Sequence, residues 1–146
     1  MILLLGFSES LFYDLIYLGD DSLVRSGRWI NAHVAEGATI GQAISGEGHA
    51  YNFVPYRYLN YRQVHDADPG LARIHTDLPD YYIAMKAQEW QDPFLNDVSL
   101  RSHYDIAAQF RHEVPVLGRF FKNQVAFYWV DEVLIFRRRP LKEAYP

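Results

Sequence analysis

There is no cysteine in the 146 residues, which excludes disulfide staples, thiolate metal sites and cysteine nucleophiles while leaving the compartment open. A basic excess is missing too: 14 Lys and Arg stand against 18 Asp and Glu, a net charge of −4. Nucleic-acid binding draws its affinity from basic side chains set against phosphates, so this balance argues against it. No unbroken apolar run reaches the length of about 20 residues that a spanning helix needs. The most apolar stretch, MILLLGFSESLFYDLIY at the start, is interrupted by Glu9 and Asp14. It also lacks the basic n-region and small-residue cleavage site of a signal peptide. On composition it reads as a buried N-terminal helix or strand. Repeats, low-complexity tracts and phosphate-binding glycine loops are absent: Gly46 and Gly48 in GEGHAY fit neither pattern of such loops. Ser45 lies in ISGEG, which is not the nucleophile elbow of the hydrolases.

What is present is an apolar content of 49%, enough for the core of one domain of this length. Residues 20–40 read as an acid-led helix, with Asp20 or Asp21 as cap and Leu23, Gly27, Ile30 and Val34 on one stripe. Gly37 is its stop. Thr39–Ile44 follows as a short buried strand, and a helix leading closely into such a strand suggests an α/β layer. Tyr58–Val64 is a candidate second strand, HDADPG at 65–70 a turn, and 69–78 a short helix with Leu71, Ile74 and Leu78 inward. Asp80–Lys86 is the strongest strand signal of the middle region. Asp92-Pro93 opens another short helix that buries Phe94, Leu95 and Val98. In Tyr104–Phe110, residues Tyr104, Ile106, Ala108 and Phe110 alternate onto one face. Val125–Tyr128 and Glu132–Arg137 read as two late strands around Val130-Asp131. The expectation is an α/β single domain: a mixed β-sheet with flanking helices and an antiparallel C-terminal strand pair, since short connections leave no room for a crossover. Residues 1–19 form an arm, 20–140 the domain and 141–146 a tail.

Candidate chemistry is sparse. His65, Asp66, Asp68, His75 and Asp77 are the one dense group of metal-capable side chains. Asp and Pro also favour turns, however, and a metal-dependent hydrolase is the weakest of the readings. No metal, cofactor or catalytic residue is assigned. The tyrosine-rich YNFVPYRYLNY holds four of the 11 tyrosines. A phenol ring offers a flat apolar face with a polar tip, which suits a sugar, and Arg57 suits a phosphate or carboxylate. A ligand surface is therefore expected at Tyr56, Arg57, Tyr58 and Tyr61, beyond the carboxyl end of the first strand.

The order of features carries a resemblance. An acid-led helix runs from Asp21 through Trp29-Ile30 to Gly37. A strand Asp80-Tyr81-Tyr82-Ile83, a strand Tyr104–Phe110 and a closing Val133–Arg137 follow. This resembles the C-terminal soluble region of membrane glycosyltransferases that use polyprenyl-phosphate sugars, the protein O-mannosyltransferase and aminoarabinose-transferase-like family. It covers about residues 14–138, nearly the whole chain. The chain departs from the family's strands at Ala107 and Ala108, where larger apolar residues are common, and at Phe136, in place of tyrosine. The resemblance implies an extracytoplasmic, membrane-associated domain, with Leu3–Tyr17 as the edge of a last span. Its partners would be the membrane part of a parent protein and a glycan or polyprenyl-phosphate-linked acceptor. The catalytic acids of that family lie in the membrane-embedded part, which has no counterpart in this sequence, so no catalytic residue carries over. The alternative is a free-standing binding or assembly protein that forms an oligomer through its apolar N-terminus.

Overall fold

The structure, a computed structural model, describes residues 22–43, 54–66, 71–87, 91–111 and 130–140. Helix α1 spans Ser22–His33 and shows why the stripe spacing matters. Gly27, Ile30 and Val34 are buried and Leu23 is half-buried. The proposed caps Asp20 and Asp21, like the N-terminal arm, lie outside the described residues. Trp29, about 100° around the helix from Ile30, is half-buried against the same core, its ring stacked on His33 at 4.7 Å. Gly37 takes the left-handed φ of 82° that a side chain resists, and its N–H donates to the Asn60 carbonyl at 2.7 Å. The chain thereby turns directly into the sheet.

Five strands follow: β1 (Thr39–Ala43), β2 (Arg62–Asp66), β3 (Tyr81–Ala87), β4 (Tyr104–Arg111) and β5 (Val130–Arg138). Their order is β2-β1-β3-β5-β4. β1 is parallel to β2 and to β3, while β5 is antiparallel to both β3 and β4. The domain is thus α/β with a mixed sheet and an antiparallel C-terminal pair, as the sequence suggested. Two short helices, α2 (Ala72–Thr76) and α3 (Val98–Arg101), and two 3₁₀ turns, Tyr58–Asn60 and Pro93–Leu95, complete the described elements.

Alternation along the strands divides the core into two faces. On one, Ile40, Ile83, Met85, Val133 and Ile135 pack with Ile30 and Val34 of α1 and with Val54, Tyr56 and Tyr61. On the other, Val64, Tyr82, Ala84, Leu134 and Phe136 pack with Leu71, Ile74, Phe94, Leu100 and Tyr104. The described part of the β1–β2 connection, residues 54–61, packs on the α1 face, and that of the β2–β3 connection, residues 71–80, on the α2 face. The two run in opposite directions along the sheet on opposite faces, the arrangement that a single crossover hand requires.

Five local expectations are corrected. The second strand begins at Arg62, because Tyr58–Asn60 closes a 3₁₀ turn first. His65 and Asp66 therefore belong to β2 and not to a turn. Val130 and Asp131 open β5 and do not separate two strands; Val125–Tyr128 and Ile44 lie outside the described residues. Val98 is 82% exposed, and Leu100 is the residue buried in its place, because Asp97 caps α3 by accepting from the Leu100 N–H and so fixes the helix phase. In β4 the pairing shifts between Ile106, opposite Phe136, and Ala108, opposite Ile135. The extra residue, Ala107, turns the strand over. Tyr104 packs on the α2 face, Ala108 and Phe110 on the α1 face, and Ile106 is left 55% exposed.

Candidate functional site

The four residues expected to border a ligand are brought together, but in two roles. Val54, Tyr56 and Tyr61 are buried in the α1-face core. The Tyr56 hydroxyl donates to Gln63 Oε1 at 2.7 Å, its ring 4.2 Å from that of Tyr58 and edge-on to Tyr61. Burial, with the neighbouring Tyr58, pushes the Tyr56 phenol well above its ordinary range. Tyr61 donates to the Ile30 carbonyl at 3.4 Å, and burial raises its phenol as well. Tyr58 is half-buried, its hydroxyl on the Val54 carbonyl at 2.9 Å, and Arg57 is exposed. The phenolic tips of all three tyrosines thus bond protein groups, and of the four only Arg57 and part of Tyr58 face solvent. Beside them Leu59 is wholly exposed.

The place of this segment is also corrected. The Arg57 N–H donates to Asn31 Oδ1, Asn60 donates to Glu36, and the Arg62 N–H donates to the Ala38 carbonyl. Glu36 and Ala38 lead into β1, so Arg57–Tyr61 sits at the amino ends of β1 and β2. The expectation places it beyond the carboxyl end of the first strand, but a parallel neighbour forces the chain to return to the starting end before β2 can begin.

That amino end is closely bonded. Asp80 Oδ2 accepts from the Thr39 N–H at 2.9 Å and from its hydroxyl at 2.7 Å, while Oδ1 takes Arg138 at 2.8 Å. Arg138 also donates to the Leu78 carbonyl at 2.6 Å. Burial alone would raise Asp80, but the Thr39 bonds and the charges of Arg138 and Arg62 outweigh it and hold the carboxyl below its ordinary value. These contacts join β1, β3 and β5. Nearby, Tyr104 donates to the Pro79 carbonyl, Arg139 pairs with Asp105, and His75 meets Asp97 at 2.6 Å. His75 therefore serves the cap of α3. Asp68 lies outside the described residues, and among those described no group of three or more His, Cys, Asp or Glu is placed to hold a metal.

The carboxyl ends hold a residue that sequence reasoning passed over as a mere helix start. Asp92 is wholly buried. Its N–H donates to the Met85 carbonyl at 3.0 Å. Its Oδ1 accepts from the Phe94 N–H at 2.9 Å and the Tyr82 hydroxyl at 3.1 Å. Its Oδ2 finds no hydrogen-bond partner among the described residues. Burial is the dominant influence. It outweighs the bonds from Phe94 and Tyr82 and the backbone at Met85, and pushes the carboxyl up to about 7. The Asp-Pro pair signals a cap, but burial comes from Tyr82, Phe94, Tyr104 and Phe136 meeting across the sheet, which local pattern does not reveal.

Comparison with known proteins returned no matching family model, no matching curated protein and no matching solved structure. No helix among the described residues is long and apolar enough to cross a membrane.

Proposed function

We propose that this chain is a non-catalytic binding domain of a membrane glycosyltransferase-like protein, on its extracytoplasmic side. There it would contribute to holding a glycan or a polyprenyl-phosphate-linked acceptor. The observation that carries this reading is the joint placement of the segments that bear the resemblance. The Trp29-Ile30 helix becomes α1, and Tyr81–Ile83, Val133–Arg137 and Tyr104–Phe110 fall in β3, β5 and β4, three neighbouring strands of which α1 lies over the last two. The ligand-facing part is the exposed edge at Arg57 and Tyr58. A guanidinium offers paired donors to phosphate or carboxylate, and the accessible part of a phenol ring offers an apolar face to a sugar.

The experiment is a pair of measurements on the purified polypeptide. Incubated with a polyprenyl-phosphate sugar and an acceptor, it should transfer no sugar; transfer would overturn the reading. In a titration with soluble glycans and short-chain prenyl phosphates followed by amide chemical shifts, Arg57 and Tyr58 should move, and Arg57→Ala should weaken the binding. Shifts confined to other surfaces would remove these residues from the site. Leu59, fully exposed beside Arg57, favours a second reading, a free-standing assembly protein. Self-association that Leu59→Ser abolishes would select it.

A further inference from the structure

After β3 the chain goes to the α2 face, at Phe94. The turn that makes this departure is fastened by four contacts through one residue, Asp92. Asp92 N–H bonds the Met85 carbonyl, Asp92 C=O accepts from Leu95 N–H at 3.0 Å, and Oδ1 takes Phe94 N–H and Tyr82 hydroxyl. The Phe94 ring, stacked on Tyr82 at 4.0 Å and against Tyr104 and Phe136, closes the site from above.

What faces the carboxyl is almost entirely uncharged. β3 presents Tyr82, β4 presents Tyr104, β5 presents Phe136, and the turn presents Phe94. The charged groups of the flanking elements are engaged elsewhere. Arg101 of α3 lies over Phe136 at 6.0 Å and donates to the Leu95 carbonyl. Lys86 stands opposite Glu132 and helps hold that carboxyl below its ordinary value. His75 of α2 pairs with Asp97. Among the described residues, an ionised Asp92 would thus be a buried charge with two donors on Oδ1 and no cation beside it. A buried carboxylate so placed is costly, and the neutral acid keeps both Oδ1 bonds without that cost.

We propose that Asp92 is a proton-operated latch: protonated, it fastens the Gln91–Leu95 turn to β3 through Tyr82 and Phe94, and loss of its proton to solvent loosens that turn while the rest of the sheet stays paired. The sign follows from linkage. The carboxyl is raised from 3.8 unfolded to about 7 in place, so its contribution is complete below the lower value, falls as pH rises, and levels off above the upper one. An opening that exposes Asp92 then becomes about tenfold easier per pH unit inside that window.

The test is native-state hydrogen exchange of the whole chain, corrected for intrinsic rates, with the Asp92 side-chain carboxyl followed by carbon NMR in the same samples. Protection of the Asp92 and Leu95 amides should fall about tenfold per pH unit between roughly pH 5 and pH 7 and then flatten, while the β5 amides opposite β3 show a shallower dependence. Asp92→Asn, which copies the neutral acid, should leave the turn amides flat across that range. The latch is overturned if the Asp92 carboxyl titrates in the ordinary range below 5. It is equally overturned if turn and β5 amides lose protection in parallel, or if Asp92→Asn keeps the wild-type slope. The carboxyl titration needs no variant, so a poorly folding Asp92→Asn leaves the proposal open to refutation.

Discussion

The two faces of the sheet bury comparable sets of side chains by different means. On the α1 face a regular helix and a tyrosine-bearing return segment cover aliphatic residues. The hydroxyls there find carbonyls or an amide: Ser22 on Val130, Tyr58 on Val54, Tyr61 on Ile30 and Tyr56 on Gln63. On the α2 face, helices of five and four residues cover an aromatic stack, and the polar group inside it is a carboxyl. A hydroxyl can rotate to one acceptor and be satisfied. A carboxyl has two oxygens to satisfy and a charge to lose, so burial weighs on the protonation of Asp92 in a way that it does not on these hydroxyl bonds.

The largest expected effect probes how far each cover depends on one side chain. Phe94 is fully buried and touches Tyr82, Tyr104 and Phe136, so Phe94→Ala should cost about 3–5 kcal/mol in denaturant unfolding. Ile30, 1% exposed under α1, should cost about 2–5 kcal/mol as Ile30→Ala. Hydrogen exchange should separate them further, the first variant opening the Gln91–Leu95 turn preferentially and the second opening α1. A Phe94→Ala loss under ~1 kcal/mol would mean that the aromatic stack is not what closes the α2 face.

Next in size is the pH dependence. Asp92→Asn should raise stability at pH 8 relative to wild type and change it little at pH 4, because above about 4 the unfolded chain releases the Asp92 proton that the folded protein holds up to about 7. The difference between the two conditions is on the order of 2–4 kcal/mol, taking roughly 1.4 kcal/mol per pKa unit. Glu132 and Asp80, both held below their ordinary values, act oppositely, losing stabilisation only as pH falls through the acid range. Thermal melts of both proteins across pH 4–9 decide the matter; parallel curves would erase the distinction between the faces.

A third effect sets the two close approaches side by side. A Cβ on Gly27 would lie 2.2 Å from the Pro55 carbonyl oxygen, and one on Gly41 2.5 Å from Pro79 Cγ. Alanine would gain up to about 1 kcal/mol of helix propensity at Gly27, but a backbone oxygen cannot step aside as a side chain can. Gly27→Ala should therefore lose about 1–3 kcal/mol net, measured by urea unfolding. A gain would show that α1 slides freely over the return segment.

The same contrast explains what could be read in the sequence. The α1 stripe, β1, β3 and the 132–137 part of β5 rest on local periodicity and on Gly37, and these are where the sequence and the structure agree. The Ala107 bulge is a property of a pair of strands, so alternation along β4 alone placed Ile106 and Phe110 on one face. Tyr56 and Tyr61 were read by residue type as ligand faces. Their burial depends on α1 lying beside them, a contact across 31 positions in the case of Tyr61 and Ile30. Asp92 was legible as a cap through its proline, but its isolation from solvent is assembled by residues from three strands and a turn.

The smallest expected effect lies at the edge where the α1 face meets solvent. Arg57 makes its described hydrogen bonds through the backbone, donating to Asn31 Oδ1 and accepting from the Asn60 N–H, so Arg57→Ala keeps both and should change stability by less than ~0.5 kcal/mol. Tyr56→Phe, one residue away, removes a donor from Gln63 inside the core and should cost about 1–3 kcal/mol. If the segment is a binding edge laid over a structural base, the two substitutions separate cleanly. Arg57→Ala would weaken binding of a prenyl phosphate or acidic glycan at nearly unchanged stability. Tyr56→Phe would lower the unfolding midpoint and leave affinity for the folded protein intact. Stability from urea titrations and affinity from calorimetry on the same preparations make the comparison direct. An Arg57→Ala protein that is destabilised as much as Tyr56→Phe would place Arg57 in the fold, and the α1 face would then have no residue in this segment set aside for a ligand.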